Sequence, residues 1–329
     1  MSYEVTLIPG DGCGPQVADV MRDLVAAVGV DIQWDVLTDA DLDGMVASVR
    51  RTGVAVKGKI VSVAAGGKMP LTLQFRKKLG VHAIVRHVTH LPGLPARAPG
   101  TDIVVVREAS EDIYSGFEHE STEGVFESVK VTTRAACERI STFAFEYAVR
   151  YGRKRVTTVH KANILKKADG MFLAVSKEVA ARYPAIQHDD IIVDALCMRI
   201  VRRPSDFDVL LCGNLFGDIV SDVAAGMAGG VTVACGTCYA PGAVVFENPH
   251  GTSVEVVGPD GANPYPMIGM AVDLLRHLGE TEASARLRAA CVASLQAGLH
   301  TQDMGGTAHT SQVHAAVRAA LLAPSAPAV

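Results

Sequence analysis

Apolar and polar positions along this chain switch between two periods. Residues 4–8 are a short apolar run that stops at Pro9-Gly10-Asp11-Gly12, which reads as a strand entering a turn. Val17, Val20, Met21, Leu24 and Val25 then recur at helical spacing, so an amphipathic helix follows. Residues 31–36 are strand-like, and 101–107 (TDIVVVR) is apolar enough for a buried strand. Residues 133–152 predict a helix with Ala136, Ile140, Phe143, Ala144 and Tyr147 on one face, closed by Gly152. A strand at 155–160 and a helix at 168–183 come next. A strand at 208–212 then leads into a helix at 214–225, and helices at 264–278 and 280–299 complete the pattern. Strands alternating with helices imply an α/β protein. No Pro- or Ser-rich linker separates two domains, so the chain is expected to cross between them more than once. Residues 323–329 (APSAPAV) are expected to be a disordered tail.

Composition narrows the function classes. The chain has 329 residues, enough for about two domains and a large core. Its 31 Lys and Arg against 35 Asp and Glu give a net charge of −4, so nucleic acid is not an expected partner. Residues 223–246 carry no charge, a length that would allow a membrane span. Six interrupting residues (Gly226, Gly229, Gly230, Gly236, Pro241, Gly242) argue instead for a buried helix end, a Gly-rich turn and a strand. The opening MSYEVTLIPGDG shows no secretory signal, and seven cysteines suggest free thiols in a reducing compartment. A cytoplasmic protein with no membrane association is the expectation. Cys235-Gly-Thr-Cys238 has neither a second ligand pair for zinc nor a clear helix start for redox chemistry, so two incidental thiols are expected.

Three groups of residues can carry chemistry. Arg76, Arg86 and Arg107 flank apolar runs, and planar guanidinium forks suit carboxylates. Asp218 and Asp222 sit at i and i+4 after a buried strand, where two like charges cost stability unless a cation offsets them. Hard oxygen ligands of this kind suit Mg²⁺ or Mn²⁺. Asp194, in IIVDAL, is a third carboxylate without a local partner. Tyr114 and Lys161 can handle protons if neighbouring charges tune them. The first glycine cluster, Gly10-Asp-Gly12-Cys-Gly14-Pro15, fails the dinucleotide spacing GxGxxG, so a Rossmann site is not expected.

Together these segments resemble the β-decarboxylating dehydrogenases, the family of isocitrate, isopropylmalate and homoisocitrate dehydrogenases. The resemblance runs from LIPGDGCGPQV at 7–17 to GGTAHTS at 305–311. It is carried by REASEDIYSGFEHES at 107–121, VHKANILKKADGMF at 159–172 and NLFGDIVSDVAAGMAGG at 214–230, and it is strongest to the NAD-dependent isocitrate dehydrogenase branch. The resemblance implies that family's own fold, two α/β domains around a central cleft. A large cofactor-binding domain would combine 1–96 with 248–329, and a small central domain, 97–247, would carry dimer contacts. It implies oxidation of a 2-hydroxy acid by NAD, followed by loss of CO₂, with Mg²⁺ or Mn²⁺. Arg76, Arg86, Arg107, Thr72 and Asn163 would bind the substrate. Asp218 and Asp222 would hold the metal with Asp194 from a partner subunit. Lys161, also from the partner, would assist deprotonation of the 2-hydroxyl, and Tyr114 would return a proton to C3. A homodimer with shared sites follows.

His250, Gly251, Thr252, Glu255, Val256 and Asn263 would line the cofactor site. Glu255 stands where NADP-dependent members carry Lys, so it would accept the ribose hydroxyls and repel a 2′-phosphate. The substrate loop departs from the isocitrate pattern. Pro70 and Thr72 replace the Ser and Asn that meet the γ-carboxylate, Lys68 and Gln74 add polarity, and His87, Val88 and Ala109 are unusual. A specialised 3-substituted malate with a polar or anionic arm is therefore expected, such as homoisocitrate or a phosphonomethylmalate-type analogue. Ordinary isocitrate or isopropylmalate, a dehydrogenase that does not decarboxylate or that acts on tartrate or malate, and a non-catalytic regulatory subunit are the alternatives.

Overall fold

The structure is a computed structural model and describes residues 2–60, 69–248, 251 and 254–323. His250, Thr252, Lys68 and nearly all of the expected tail lie outside the described residues. The chain opens with strand β1 (Tyr3–Ile8), helix α1 (Gly14–Ala27), β2 (Ile32–Val36), α2 (Leu42–Thr52), β3 (Val54–Lys57), α3 (Leu71–Leu79), β4 (Ala83–Thr89) and β5 (Asp102–Glu108). An exposed hairpin, β6 (Glu118–Thr122) and β7 (Val125–Ser128), stands apart as a two-stranded sheet. Then come α4 (Arg134–Arg150), β8 (Arg155–His160), α5 (Ala168–Ala180), β9 (Gln187–Ile192), α6 (Val193–Arg202), β10 (Val209–Cys212) and α7 (Asn214–Ala228). The chain continues through β11 (Gly236–Ala240), β12 (Ala243–Glu247) and a short α8 (Val254–Val257). It closes with α9 (Tyr265–His277), α10 (Thr281–Gln296) and α11 (Thr310–Leu322).

Among the described residues ten strands form one sheet in the order β2-β1-β3-β12-β11-β4-β5-β10-β8-β9. The first four run parallel, as do the last four, and antiparallel β11 and β4 join the two blocks. Three buried clusters cover the sheet. The largest gathers α1, α9, α10 and α11 and reaches α6 and α7, a second packs α4 and α5, and a third packs α2 and α3. Such a sheet with helices on both faces places ligands at strand ends, where loops are free to specialise.

The strands and helices expected from periodicity form, with ends moved by a few residues. The uncharged stretch contains two strands rather than one: after α7 comes a single 3-10 turn (Gly230–Val233), then the β11–β12 hairpin in the middle of the sheet. Among the described residues no helix is long and apolar enough to cross a membrane. Cys235 and Cys238 are free, and burial pushes both thiols up to about 12, so neither is a ready nucleophile.

Candidate active site

The site lies where α3 and α7 face each other across strands β3, β12, β4 and β5. Arg107, the penultimate residue of β5, is buried under the start of α7. Gly217 permits that approach, since a Cβ there would stand 2.7 Å from Arg107 Cγ. Arg107 Nε donates to Asn214 Oδ1 at 2.8 Å, and its Nη1 pairs with Asp218. Its guanidinium also lies over the Tyr114 ring, 4.9 Å from the centroid. Arg86 on β4 pairs with Asp222 and lies 3.7 Å from Asp218. Tyr114 closes the cluster by donating its hydroxyl to Asp218 Oδ2 at 2.6 Å.

Charge and burial set the proton chemistry of these groups. Burial and the bond to the Asp218 carboxylate raise the Tyr114 pKa, so the hydroxyl holds its proton at neutral pH. Burial lowers the Arg107 pKa, and Asp218 works against that shift. The two aspartates occupy successive turns of α7 and offer carboxylate oxygens of the type Mg²⁺ and Mn²⁺ take. Among the described residues of one chain, no three His, Cys, Asp or Glu side chains converge as a metal site. Asp194 lies instead in the first turn of α6, exposed and paired with Lys161, whose bond helps hold the Asp194 carboxyl below its usual range. Lys161 follows β8, two strands from β5, and Asp194 follows β9, three strands away; within one chain the two pair with each other, while Asp218 is held by Arg107 and Tyr114. Asn163 is exposed in the turn after Lys161.

The third arginine is held by residues that the sequence reading did not single out. Arg76 on α3 donates through Nε and Nη2 to Glu247 Oε2 at 3.0 and 2.9 Å. Lys57, fully buried, donates to Glu247 Oε1 at 2.8 Å and comes within 3.4 Å of Thr72 Oγ1. Burial opposes the Glu247 charge, but Arg76 and Lys57 outweigh it and hold the carboxyl well below the ordinary range. Burial likewise opposes the Arg76 charge, and Glu247 more than compensates, so its pKa is raised. One signal for this triad was visible: Glu247 is the charge that ends the 24-residue uncharged run, and Lys57 ends the apolar strand VAVK.

A second cleft, of about 250 Å³, opens beside this cluster at the carboxyl ends of β1, β3 and β12. Asp11, Lys59, Asn248, Gly251, Asn263 and Asp303 are among its lining residues. Gly10, at φ +83°, lets the first loop press on the third strand's end, where a Cβ would meet Lys59 O at 2.4 Å. Asn263 donates to Thr232 Oγ1 at 3.0 Å and Asp303 Oδ2 at 2.8 Å, and it accepts from Tyr265 N. Lys59 is the one cationic side chain among the described lining residues. Glu255 and Val256 lie exposed on α8, outside the lining.

Comparison with known proteins now decides the family. The profile described as "Isocitrate/isopropylmalate dehydrogenase" matches residues 4–317. The chain belongs to that family. It is 38% identical over 325 residues to the isocitrate dehydrogenase [NAD] catalytic subunit 5, mitochondrial, of Arabidopsis thaliana, covering 95% of this chain and 87% of the relative. It is 41% identical over 332 residues to the regulatory subunit 1 of the same plant, covering 96% and 89%. The crystal structure of isocitrate dehydrogenase from Methylococcus capsulatus superposes with a TM-score of 0.90 at 36% identity, covering 97% of this chain and 99% of that one. The expected α/β isocitrate/isopropylmalate dehydrogenase-like fold is thus met, as is membership of an NAD-linked family of oxidoreductases.

Proposed function

We propose that this chain is an NAD-dependent, divalent-metal-dependent dehydrogenase that oxidises and decarboxylates a 3-substituted malate. The single observation that carries the reading is the cluster in which Arg86 and Arg107 face Asp218, Asp222 and Tyr114. Bound NAD would supply the acceptor for a hydride from C2, and a divalent cation would supply positive charge for the 2-oxygen during decarboxylation. Arg76, Arg86 and Arg107 bind and orient the substrate carboxylates by charge-assisted bonds. Asp218 and Asp222 hold the cation. Tyr114, protonated at neutral pH, donates its proton to C3 of the enolate left after decarboxylation.

The remaining assignments follow. Lys161 and Asp194 serve a neighbouring chain's site; their pairing with each other beyond β10 and the exposure of Asp194 support this. Exposed apolar residues on α6 and α7 (Met198, Val201, Ile219) and the fully exposed β6–β7 hairpin support a homodimer. The second cleft takes NAD, with Lys59 offering the charge that a pyrophosphate needs and Glu255 selecting against a 2′-phosphate. Residues 1–96 with 248–329 form the cofactor domain and 97–247 the smaller one. Seven free thiols fit a reducing compartment such as the cytoplasm. Thr72, held beside Lys57 in the first turn of α3, leaves this end of the site polar and cationic, which favours a polar or anionic third arm such as that of homoisocitrate or a phosphonomethylmalate.

Relatives named as regulatory subunits give a second reading, a chain without turnover. Purified protein with NAD, Mg²⁺ or Mn²⁺ and a panel of 3-substituted malates separates the two. NADH formation with at least one substrate is expected, and strongest with an anionic arm. Absence of NADH across the panel would favour the regulatory reading. Lys161→Met should abolish turnover while leaving NAD affinity unchanged.

A further inference from the structure

Asp112 has the only positive φ of any non-glycine among the described residues, φ 73° with ψ −156°. That combination belongs to glycine, because a Cβ crowds the backbone there. A glycine would adopt the turn without strain, so an aspartate here is explained by its carboxylate. The carboxylate is buried and fully engaged. Oδ1 accepts from Ile113 N at 2.8 Å and so caps the 3-10 turn Ile113–Ser115, which carries Tyr114. Oδ2 accepts from Leu215 N at 3.1 Å, more than a hundred residues along the chain. Leu215 lies in the first turn of α7, whose own N-cap, Gly213, has no side chain to offer. One side chain therefore caps both elements that meet in the Tyr114–Asp218 hydrogen bond.

The anchor extends further. Asp112 N donates to Val131 O at 2.9 Å, and Lys130 Nζ lies 3.7 Å from Asp112 Oδ2 and 2.9 Å from Asp169 Oδ1. Asp169, buried in the first turn of α5, accepts from the backbone N of Lys161 at 2.7 Å. The backbone that presents Lys161 is tied to the same buried chain of charges.

We propose that Asp112 is a positioning residue, which sets the Tyr114 hydroxyl against Asp218 for the return of a proton to C3. This rests on the role given to Tyr114 above. The step is simple: the O–H bond of Tyr114 breaks, a C–H bond forms at C3, and solvent restores the phenol. Asp112→Gly relieves the backbone and removes both caps, and Asp112→Asn keeps one acceptor while placing an amide against the other N–H. The test follows kcat, substrate KM, NAD affinity and deuterium uptake from D₂O at C3 of the 2-oxo acid product. Asp112→Gly should lower kcat and C3 exchange about 100-fold, the scale of an ångström's misplacement. KM and NAD affinity should stay within about twofold, and Asp112→Asn should fall between. Combined with Tyr114→Phe, Asp112→Gly should cost little more. The proposal is overturned if both variants keep kcat and exchange within about twofold, or if NAD affinity and KM worsen in step with kcat. Wild-type protein that neither turns over nor exchanges at C3 removes the catalytic reading itself, and this proposal with it.

Discussion

Two ionic clusters sit side by side over the middle of the sheet, and they differ in burial. Lys57, Glu247 and Arg76 form a closed triad whose side chains are 0, 4 and 14% exposed. Arg86 and Arg107 are almost as deep, but the aspartates facing them, Asp218 and Asp222, are 34 and 52% exposed. In the first cluster the carboxylate is spent on two cations and shielded from water. In the second, each aspartate keeps a face toward solvent and therefore toward a ligand or cation. The same residue types thus serve chiefly as a frame on one side, from which Arg76 still reaches the small pocket it lines with Arg86, and as an exchangeable site on the other, and exposure decides which.

The largest expected effect lies in the frame. Glu247→Gln leaves Lys57 and Arg76 buried without their counter-charge, and about 3–5 kcal/mol of stability should be lost. Chemical denaturation checks this. The sign of the pH dependence follows from the depressed Glu247 pKa. Stability from this group is fully present above the ordinary carboxyl value of 4.5 and is lost as pH falls below it toward the folded value. Glu247→Gln should therefore unfold with less acid dependence than the wild type, and equal slopes would remove the triad's claim.

Next come the exchangeable residues. Arg107→Met removes the bonds to Asp218 and Asn214 and should lower kcat/KM about 10²–10³-fold, as expected for two charge-assisted bonds. Its stability should change far less than that of Glu247→Gln; a comparable loss would erase the contrast between the clusters. Asp218→Asn should raise the Mg²⁺ or Mn²⁺ concentration needed for half-maximal rate at least tenfold, roughly 1.4 kcal/mol. An unchanged metal requirement would exclude Asp218 as a ligand. The smallest effect is at the cofactor. Glu255→Lys should improve use of NADP relative to NAD about tenfold, about the size of one charge contact. An unaltered ratio in steady-state kinetics would place the ribose elsewhere.

The division between what the sequence disclosed and what it hid follows the same contrast. Arg107, Tyr114, Asp218 and Asp222 were legible because they lie in short runs with local spacing, and β5 and α7 have clear periodicity. Glu247, Lys57 and Asp112 were not, because each acts through a partner more than ten residues away, up to 190, and no local period reports that. The hairpin of β11 and β12 was read as one strand because Pro241 and Gly242 sit inside a continuous uncharged stretch. α2, α3, α6 and α11, with β3, β4 and β9, are not expected from the periodicity. In α6 the edge strand β9 runs directly into the helix without a polar break, since residues 191–196 carry only one charge, Asp194. Asp194 and Lys161 are the reverse case: the motif picks them out, and only the structure shows that within one chain they pair with each other, past β10 from β5.

The most direct measurement couples the two products. The purified protein, supplied with NAD, Mg²⁺ or Mn²⁺ and the best 3-substituted malate of the panel, is followed for NADH and CO₂ together. Equal amounts of both are expected, with turnover lost when the cation is chelated and restored when it is returned. NADH without CO₂, or turnover indifferent to the cation, would contradict it.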